Sequence, residues 1–174
     1  MIYFSNVLVV PSKSSVKILA DSAAAAKKEP CKFSFSSAGM GQTTHLMGEL
    51  FKERTGADVV HVPYKGTGPA LQDLLGGQVD LTFGTAPPFI PHIQSGKLRV
   101  LAVTGKQRLS SLPEVPTTAE AGYPKVDASS WFALFAPAKV PDAVVSQISD
   151  AVAKAMDTPQ VRGTYAVRGV DIAV

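Results

Sequence analysis

Residues 33–46 read FSFSSAGMGQTTHL, and residues 59–66 read VVHVPYKG. Both segments open as short strands and run into loops that contain glycine, and the residues between them have the apolar periodicity of a helix. Gly39 and Gly41 allow the first loop to turn sharply and a ligand to approach the backbone closely. The helix that follows directs its unpaired N–H groups and the positive end of its dipole at this loop. The stretch therefore predicts an anion site for a carboxylate or a phosphate.

The alternation of strand and helix continues along the chain. Short apolar segments predict strands at residues 7–10, 32–35, 58–62, 79–83 and 98–103. Helical periodicity predicts helices at residues 14–28, 43–54, 67–75, 88–94, 141–156 and 159–167, the last leading to an apolar segment at 170–172. Ser14 or Ser15 is expected to cap the first helix, and Pro30 to end it. This order predicts an α/β fold in which a mostly parallel sheet is flanked by helices.

Three loops of the predicted fold directly follow strands, at residues 36–43, 63–66 and 84–88. Ligands of such sheets bind beyond the carboxyl ends of the strands, so the three loops are expected to gather at one edge. Backbone N–H groups around Gly39 and Gly41 are the central predicted contacts, although an ordinary turn between strand and helix would also need these glycines. Thr43 is explained equally well as a ligand contact or as the helix cap. The predicted ligand-binding residues are Ser37, Gly39, Met40, Gly41, Thr43, Tyr64, Gly66, Gly84 and Thr85.

Composition restricts the class of protein only loosely. The 174 residues are 45% hydrophobic and 18% charged, as in a globular chain long enough for one good core. Seventeen basic and fourteen acidic residues are scattered along the chain, so no nucleic-acid-binding face is expected. Cys31 is the single cysteine, which excludes an intrachain disulfide. The first ten residues lack the features of a signal peptide, and a chain that opens on a core strand is expected to begin in mid-fold.

Other chemistries fit the residues poorly, and no cofactor is predicted. A dinucleotide fingerprint would need a third glycine where Thr44 stands and an acidic residue near His61. The three histidines, His45, His61 and His92, do not have the spacing of metal ligands. Ser37 is not in a nucleophile elbow, because Phe35 occupies the first glycine position of that motif. Neither NAD, zinc nor serine hydrolysis is therefore expected.

Several motifs stand in the order found in one known family, and the chain resembles the substrate-binding proteins of tripartite tricarboxylate transporters, the Bug or TctC family of bacteria. The resemblance covers roughly residues 6–173. The motifs that carry it are SAGMG at 37–41 with HL at 45–46, GELF at 48–51, VPYKG at 62–66, LLGGQVD at 74–80, GKLR at 96–99, LAVTG at 101–105, LPEVPTTAEAG at 112–122 and WF at 131–132.

The resemblance implies a periplasmic protein of two lobes that traps a small carboxylate in the cleft between them and delivers it to the membrane components of a transporter. Residues 9–130 would form one α/β lobe, and residues 131–174 an incomplete part of the second. Two features depart from the family. The signal peptide and the long segment that forms the opposite wall of the cleft are missing, and Gly84 and Thr85 replace an acidic residue that in many relatives is able to hold an amino group. The resemblance therefore implies a plain mono- or dicarboxylate rather than an amino acid.

Three functions of different class remain open at this point. The first is a solute-binding protein that captures a carboxylate without chemistry. The second is a shortened remnant that keeps the fold of one lobe and has lost binding. The third, which the residues favour least, is a small cytosolic enzyme acting on an organic acid with His45 as general base. The resemblance implies the periplasm, whereas the missing signal peptide leaves a cytoplasmic fragment open.

Overall fold

The described residues, 2–29, 32–167 and 170–172, form an α/β fold in this computed structural model. Pro30 and Cys31, on which two sequence predictions rest, lie outside them. Seven strands are present in this part of the chain: β1 (Ile2–Pro11), β2 (Phe33–Ser37), β3 (Val59–Pro63), β4 (Leu81–Thr85), β5 (Leu98–Val103), β6 (Ser129–Phe132) and β7 (Val170–Ile172). Six helices accompany them: α1 (Leu19–Lys28), α2 (Thr43–Thr55), α3 (Thr67–Leu75), α4 (Ile90–Gln94), α5 (Asp142–Met156) and α6 (Pro159–Val167).

The central part of the sheet has the strand order β3-β2-β4-β1-β5. β2 pairs in parallel with β3 and with β4, whereas β1 is antiparallel to β4 and to β5. Four of these five strands therefore run in one direction and only β1 opposes them. The predicted class, an α/β fold with a mostly parallel sheet flanked by helices, is confirmed.

β1 is longer than the predicted strand at 7–10 because it pairs with distant strands along its whole length. Its residues Asn6–Pro11 lie between β4 and β5. Its first residues pair instead with β6, from Ile2 opposite Phe132 to Ser5 opposite Ser129, and with β7. The strand thus leaves the five-stranded region and continues into a second set of pairings. The division of the chain into lobes at residue 130 stays a prediction.

A buried amide side chain joins β1 to the segment that leads into β6. Asn6 is fully buried, and its Nδ2 donates to the carbonyl of Ala128 at 3.0 Å. Its Oδ1 accepts from the hydroxyl of Ser130, also at 3.0 Å. Thr104 Oγ1 donates to the same Ala128 carbonyl at 2.7 Å, so β5 is linked to this point as well.

The hydrophobic core lies on both faces of the sheet. Side chains of a strand alternate between the two faces, and those of β1 divide accordingly. The face covered by α1 and α2 contains Leu8, Val10, Phe35, Met47, Phe51 and Phe83. The face covered by α3 and α4 contains Val7, Val9, Leu71, Leu74, Phe89 and Val103.

The predicted start of the first helix is wrong. α1 begins at Leu19 rather than near Ser14, because the carboxylate of Asp21 accepts the amides of Lys17 at 2.9 Å and Ile18 at 3.1 Å. Asp21 is the third helical residue, and its carboxylate satisfies the N–H of the cap residue Ile18, as the acidic residue of a capping box does. Ser14 instead accepts a local hydrogen bond from the amide of Val16 at 3.2 Å.

The predicted strand at 79–83 is displaced by two residues, since β4 covers Leu81–Thr85. Asp80 belongs to the turn before it, where its carboxylate accepts from both the amide and the hydroxyl of Ser34 at 2.8 Å. Gly84 and Thr85 therefore end the strand and do not begin the following loop. The predicted helix at 88–94 is likewise shorter, because α4 begins only at Ile90.

The predicted helices at 141–156 and 159–167 are confirmed by α5 and α6. No residue of α5 is buried, and Ile148 on its apolar stripe is 50% exposed. Trp131 is 52% exposed and Phe135 is 83% exposed in and after β6. This part of the chain therefore presents an apolar surface without a partner among the described residues. No helix in the described part is both long and apolar enough to cross a bilayer.

Candidate ligand-binding site

The loops that follow β2 and β3 lie against each other at the carboxyl edge of the sheet. The amide of Tyr64 donates to the carbonyl of Ser37 at 3.1 Å, and the amide of Gly66 donates to that of Ala38 at 2.9 Å. β4 is parallel to β2, so it ends at the same edge. There the amide of Ala86 donates to the backbone carbonyl of Ser5 on β1 at 3.3 Å. The predicted gathering of three loops at one edge is confirmed for the described backbone.

Glycine is required in these loops by backbone conformation. Gly39 has a backbone φ of 149° and Gly66 has one of 114°, and residues that carry a side chain rarely adopt such values. Gly41 has φ 73°, in the left-handed region. The amide of Gly39 donates to the hydroxyl of Ser37 at 3.2 Å, which closes the first loop on itself. The loop is therefore a defined turn in front of α2.

We expect Gly39→Ala to lower the free energy of unfolding by about 1–2 kcal/mol, because the φ that the loop imposes on this residue is strained once a Cβ is present. Gly41→Ala is the matched comparison, since a Cβ there meets nothing within 4 Å and only the left-handed conformation opposes it. Its effect should be smaller, about 1 kcal/mol. Urea denaturation of both variants measures the difference, and equal stability of Gly39→Ala and the parent chain would contradict the strain.

The start of α2 leaves backbone donors free at this loop. The cap position is Gln42, whose side chain makes no capping hydrogen bond, and the first helical bonds run from His45 and Leu46 to its carbonyl. Among the described residues, none accepts a hydrogen bond from the amides of Thr43 and Thr44. Thr43 is thus the first helical residue, and its interpretation as the cap is wrong. These free N–H groups and the helix dipole together favour an anion.

Thr44, which the sequence did not single out, fixes the start of the helix. Its buried hydroxyl accepts from the amide of Ala38 at 3.0 Å. This bond joins the end of β2 to the first turn of α2, so the free amides are held at a fixed place over the loop. The only sequence signal for this bond is that a second Thr, Thr44, directly follows the expected cap residue Thr43.

The predicted site residues differ in exposure. Met40 is 69% exposed, and Gly41 is also exposed. Ser37 and Gly84 are buried. Those that are partly exposed at the edge are Gly39, Thr43, Tyr64, Gly66 and Thr85.

Gly84 has a packing role that its burial reveals. A Cβ at this position would lie 2.3 Å from Cε2 of Phe89, so only glycine lets that ring close against β4. Phe89 is fully buried and belongs to the core on the α3 and α4 face. Gly84 therefore contributes to the packing at the end of β4. A direct contact between Gly84 and a ligand stays a prediction.

Tyr64 has its hydroxyl engaged within the protein. The hydroxyl donates to Oδ2 of Asp73 at 2.6 Å, which ties the loop after β3 to α3. Burial, together with the hydrogen bond and the negative charge of Asp73, raises the pKa of Tyr64 to about 12. The side chain is therefore neutral at physiological pH and positions the loop, and its contact with a ligand stays a prediction.

Two histidines that are 16 residues apart in sequence stack beneath the glycine loop. The rings of His45 on α2 and His61 on β3 have centroids 4.2 Å apart and an interplanar angle of 29°. His61 Nε2 lies 2.7 Å from Ser37 Oγ, and His45 Nδ1 accepts from the amide of Gly41 at 3.1 Å. The spacing of the histidines excludes a local motif, and only the position of α2 over β2 and β3 brings them together.

The Ser37–His61 pair does not form a hydrolytic site. Ser37 is fully buried, and its hydroxyl also lies within hydrogen-bonding distance of Gly39. Among the described side chains, no carboxylate hydrogen-bonds to the other ring nitrogen of His61, so the third member of a catalytic triad is missing. The described residues also contain no group of three or more His, Cys, Asp or Glu able to hold a metal ion.

A cavity of about 350 Å³ lies elsewhere and contains none of the predicted site residues. Its two basic side chains are Lys106 and Arg108, of which Arg108 is paired with Glu120 at 2.9 Å. The hydrogen bonds from Arg108 and from the amide of Thr117 lower the pKa of Glu120. The cavity is lined by Ser5, Lys106, Gln107, Arg108, Leu109, Ser110, Ala166 and Val170.

Comparison with known sequences gives matches along nearly the whole chain. The sequence model of the family described as "Tripartite tricarboxylate transporter family receptor" matches residues 1–174. Protein BugT of Bordetella pertussis is 38% identical over 163 residues, which cover 94% of this chain and 50% of BugT. A protein from the tcbD-tcbE intergenic region of a Pseudomonas species is 38% identical over 157 residues, covering 90% of this chain and 47% of that one. The chain spans about half the length of these curated relatives.

Solved structures match the fold equally well. A structure described as a periplasmic transporter has a TM-score of 0.94 and 40% identity, over 99% of this chain and 57% of that chain. A protein of R. palustris solved with adipate has a TM-score of 0.92 and 34% identity, over 97% and 56% of the two chains. MatC from Rhodopseudomonas palustris with bound malate has a TM-score of 0.91 and 29% identity, over 97% and 57%. The matched family is described as a transporter receptor, and a further solved structure, BugD, is described as a periplasmic binding protein, so the matches point to a family of solute-binding proteins.

Proposed function

This chain belongs to the tripartite tricarboxylate transporter receptor family, and we propose from this premise that it supplies one wall of a site that captures a small organic carboxylate. The captured acid is not converted chemically. In the complete receptor it is passed to the membrane components of a tripartite transporter, and capture takes place in the periplasm.

One observation carries this proposal: the amides of Thr43 and Thr44, which have no acceptor among the described residues, lie at the start of α2 next to the loop that contains Gly39 and Gly41. Charge-assisted hydrogen bonds from backbone N–H groups suit a carboxylate, and the helix dipole adds to them. The two relatives solved with adipate and with malate hold small dicarboxylic acids, which supports the same class of ligand for this chain.

The edge of the sheet favours a plain acid over an amino acid. Thr85 and Gly84 end β4 and offer no negative charge to an ammonium group. Asp73, a carboxylate near the loop after β3, is already engaged by the hydroxyl of Tyr64. An amino group would therefore lose its hydration here without gaining an ionic partner.

We expect adipate or malate to stabilise the chain, and the uncharged diamide of adipic acid to have no effect. Stabilisation should grow as RT ln(1 + [L]/Kd), reaching about 2.7 kcal/mol when the ligand is at a hundred times Kd. Thermal denaturation over a concentration series of each compound measures this. A response that is flat for every acid, or equal for the acid and its diamide, would contradict the proposal.

A pair of variants at one position tests the amide itself. Thr43→Pro removes the N–H of the first helical residue, where proline is well tolerated, and Gln42 before it already has the extended conformation that proline requires. Thr43→Ala keeps the amide and removes only the hydroxyl. Calorimetric titration should show binding weakened by about tenfold or more in Thr43→Pro, and less in Thr43→Ala. The reverse order would assign the contact to the hydroxyl.

A second candidate function is a folded lobe that binds no ligand by itself. The unpartnered apolar surface of α5 and of the segment around Phe135 favours it, because large exposed patches mark missing interfaces. Sedimentation velocity separates the two candidates when it is combined with the titrations. A chain that self-associates and ignores both acids supports the second candidate, whereas a monomer that binds either acid excludes it.

A further inference from the structure

The stacked histidines each hold one element of the glycine loop. His45 Nδ1 accepts the amide of Gly41 at 3.1 Å, and His61 Nε2 is 2.7 Å from the hydroxyl of Ser37. That hydroxyl in turn accepts the amide of Gly39 at 3.2 Å. The two imidazoles therefore reach, directly or through one side chain, both glycines of the loop in front of α2.

The bond from Gly41 requires an acceptor at Nδ1 of His45. A nitrogen that accepts a hydrogen bond carries no proton, so Nδ1 is bare and the ring is the neutral form with its proton on Nε2. Nε2 faces Oε1 of Glu49 at 3.9 Å, which favours a proton on that side. A charged imidazole carries a proton on both nitrogens. Its Nδ1–H would then face the N–H of Gly41, and the hydrogen bond between them would be lost.

The surroundings oppose charge on the second ring. His61 is sandwiched between His45 and the ring of Phe35, whose centroid is 4.7 Å away. The ionisable groups that act on it all come from α2: His45 and Lys52 disfavour a charge and Glu49 favours one, while Glu49 is itself paired with Lys52 at 3.2 Å. The facing residues of β2, Phe35 and Ser37, carry no charge. Burial and the neighbouring His45 together lower the pKa of His61.

We propose that His45 and His61, as a neutral stacked pair, are positioning residues that hold the glycine loop in its anion-binding form. His45 orients the amide of Gly41, and His61 orients the hydroxyl of Ser37 that fixes Gly39. The inference rests on the proposed function of this loop as a carboxylate site. Neither ring needs to touch the ligand.

This role predicts a direction of pH dependence that direct contact would reverse. A histidine that binds a carboxylate through its own charge binds more tightly as the pH falls. A pair that holds the loop only when neutral loses its hydrogen bonds to the loop as it gains a proton. The affinity for a carboxylate then falls as the pH falls. For His61 the sign follows from linkage: its folded form binds protons less readily than the unfolded chain, so the stability it contributes is complete above its ordinary pKa and declines as the pH falls towards its lowered one.

The first test needs no ligand. Long-range nitrogen–proton NMR spectra of the chain report which nitrogen of each imidazole carries the proton. We expect His45 as the Nε2–H form, and an amide resonance of Gly41 that shifts when His45 is replaced by leucine. A His45 with its proton on Nδ1, or a Gly41 amide indifferent to that replacement, would overturn the inference.

The second test compares two replacements of His45. His45→Asn places a carbonyl oxygen near the former Nδ1 and keeps an acceptor that does not titrate, whereas His45→Leu fills similar space without an acceptor. Titrations with adipate and with malate between about pH 5.5 and 8 cover the range in which histidine changes charge. His45→Leu should bind about two- to tenfold more weakly at the upper end. His45→Asn should bind like the parent chain there and show a smaller fall in affinity towards low pH, the remainder coming from His61.

His92 on α4 provides the matched control, because it lies in another helix, where its carbonyl accepts hydrogen bonds from Ser95 and Lys97. His92→Asn should leave both affinity and pH profile unchanged. Equal affinity of His45→Leu and the parent chain, or a parent affinity that rises as the pH falls, would overturn the inference while leaving the proposed function intact. A parent chain that binds neither acid would contradict the proposed function. The NMR measurement would then still test whether the histidines hold the glycine loop.

Discussion

Replacing Asn6 with alanine is expected to lower the free energy of unfolding by about 2–4 kcal/mol. The side chain is fully buried and makes two hydrogen bonds, donating to Ala128 and accepting from Ser130. Alanine leaves the Ser130 hydroxyl buried without an acceptor, and a buried unpaired polar group is costly. The Ala128 carbonyl keeps its bond from Thr104, so the loss falls mainly on the Ser130 side.

A double-mutant cycle of Asn6→Ala and Ser130→Ala isolates this interaction. In the double variant neither partner remains unpaired, so its loss of stability should be smaller than the sum of the single losses, by on the order of 1 kcal/mol. Urea denaturation of the four proteins provides the free energies. An Asn6→Ala variant within about 0.5 kcal/mol of the parent, or losses that simply add, would show that the buried amide does not join these segments.

The second large effect is expected at Gly48, where alanine should destabilise the protein by about 2–3 kcal/mol. A Cβ at this position on α2 would lie 2.0 Å from Cε2 of Phe35. That ring cannot move aside easily, because it is buried, stacks on His61 and meets the edge of Phe83. The overpacking therefore exceeds the gain in helix propensity that alanine normally brings over glycine.

Gly68→Ala is the matched control for this substitution. Gly68 is also in a helix, α3, and a Cβ there meets nothing within 4 Å. Alanine should raise stability by about 0.5–1 kcal/mol, since only propensity and the entropy of the unfolded chain act. Thermal denaturation should thus move in opposite directions for the two variants. A Gly48→Ala protein as stable as the parent would show that α2 has room to retreat from the sheet.

The parts of the fold that the sequence predicted well are those bounded by local signals. α3 and β5 have the predicted limits, because glycines flank the helix and turns flank the strand. The errors have non-local causes. α1 starts late because the Asp21 carboxylate caps it from within, and β4 starts late because Asp80 bonds to Ser34 across the sheet. The extension of β1 to Ile2 depends on partners in β6 and β7, which no local pattern reveals.

The candidate site divides in the same way. The meeting of the loops after β2 and β3 follows from the handedness and direction of parallel strands, so the glycine pattern sufficed to predict it. The burial of Ser37 and the contact of His45 with His61 depend instead on how closely α2 packs on the sheet. That distance is set by Gly48 and Phe35, which the sequence shows only as an ordinary helix residue and an ordinary strand residue.

The position of β1 governs the order in which the protein can fold. It is central in the sheet, and the nearest of its partners along the chain, β4, is synthesised more than seventy residues later. At ordinary rates of translation that delay is on the order of ten seconds. During this time the segment VLVV at residues 7–10 has none of its partner strands of the described part of the chain, whereas β2, α2 and β3 can already associate. High contact order of this kind slows folding, and an unpaired apolar strand is prone to aggregation, so this chain should depend on chaperones early in its synthesis.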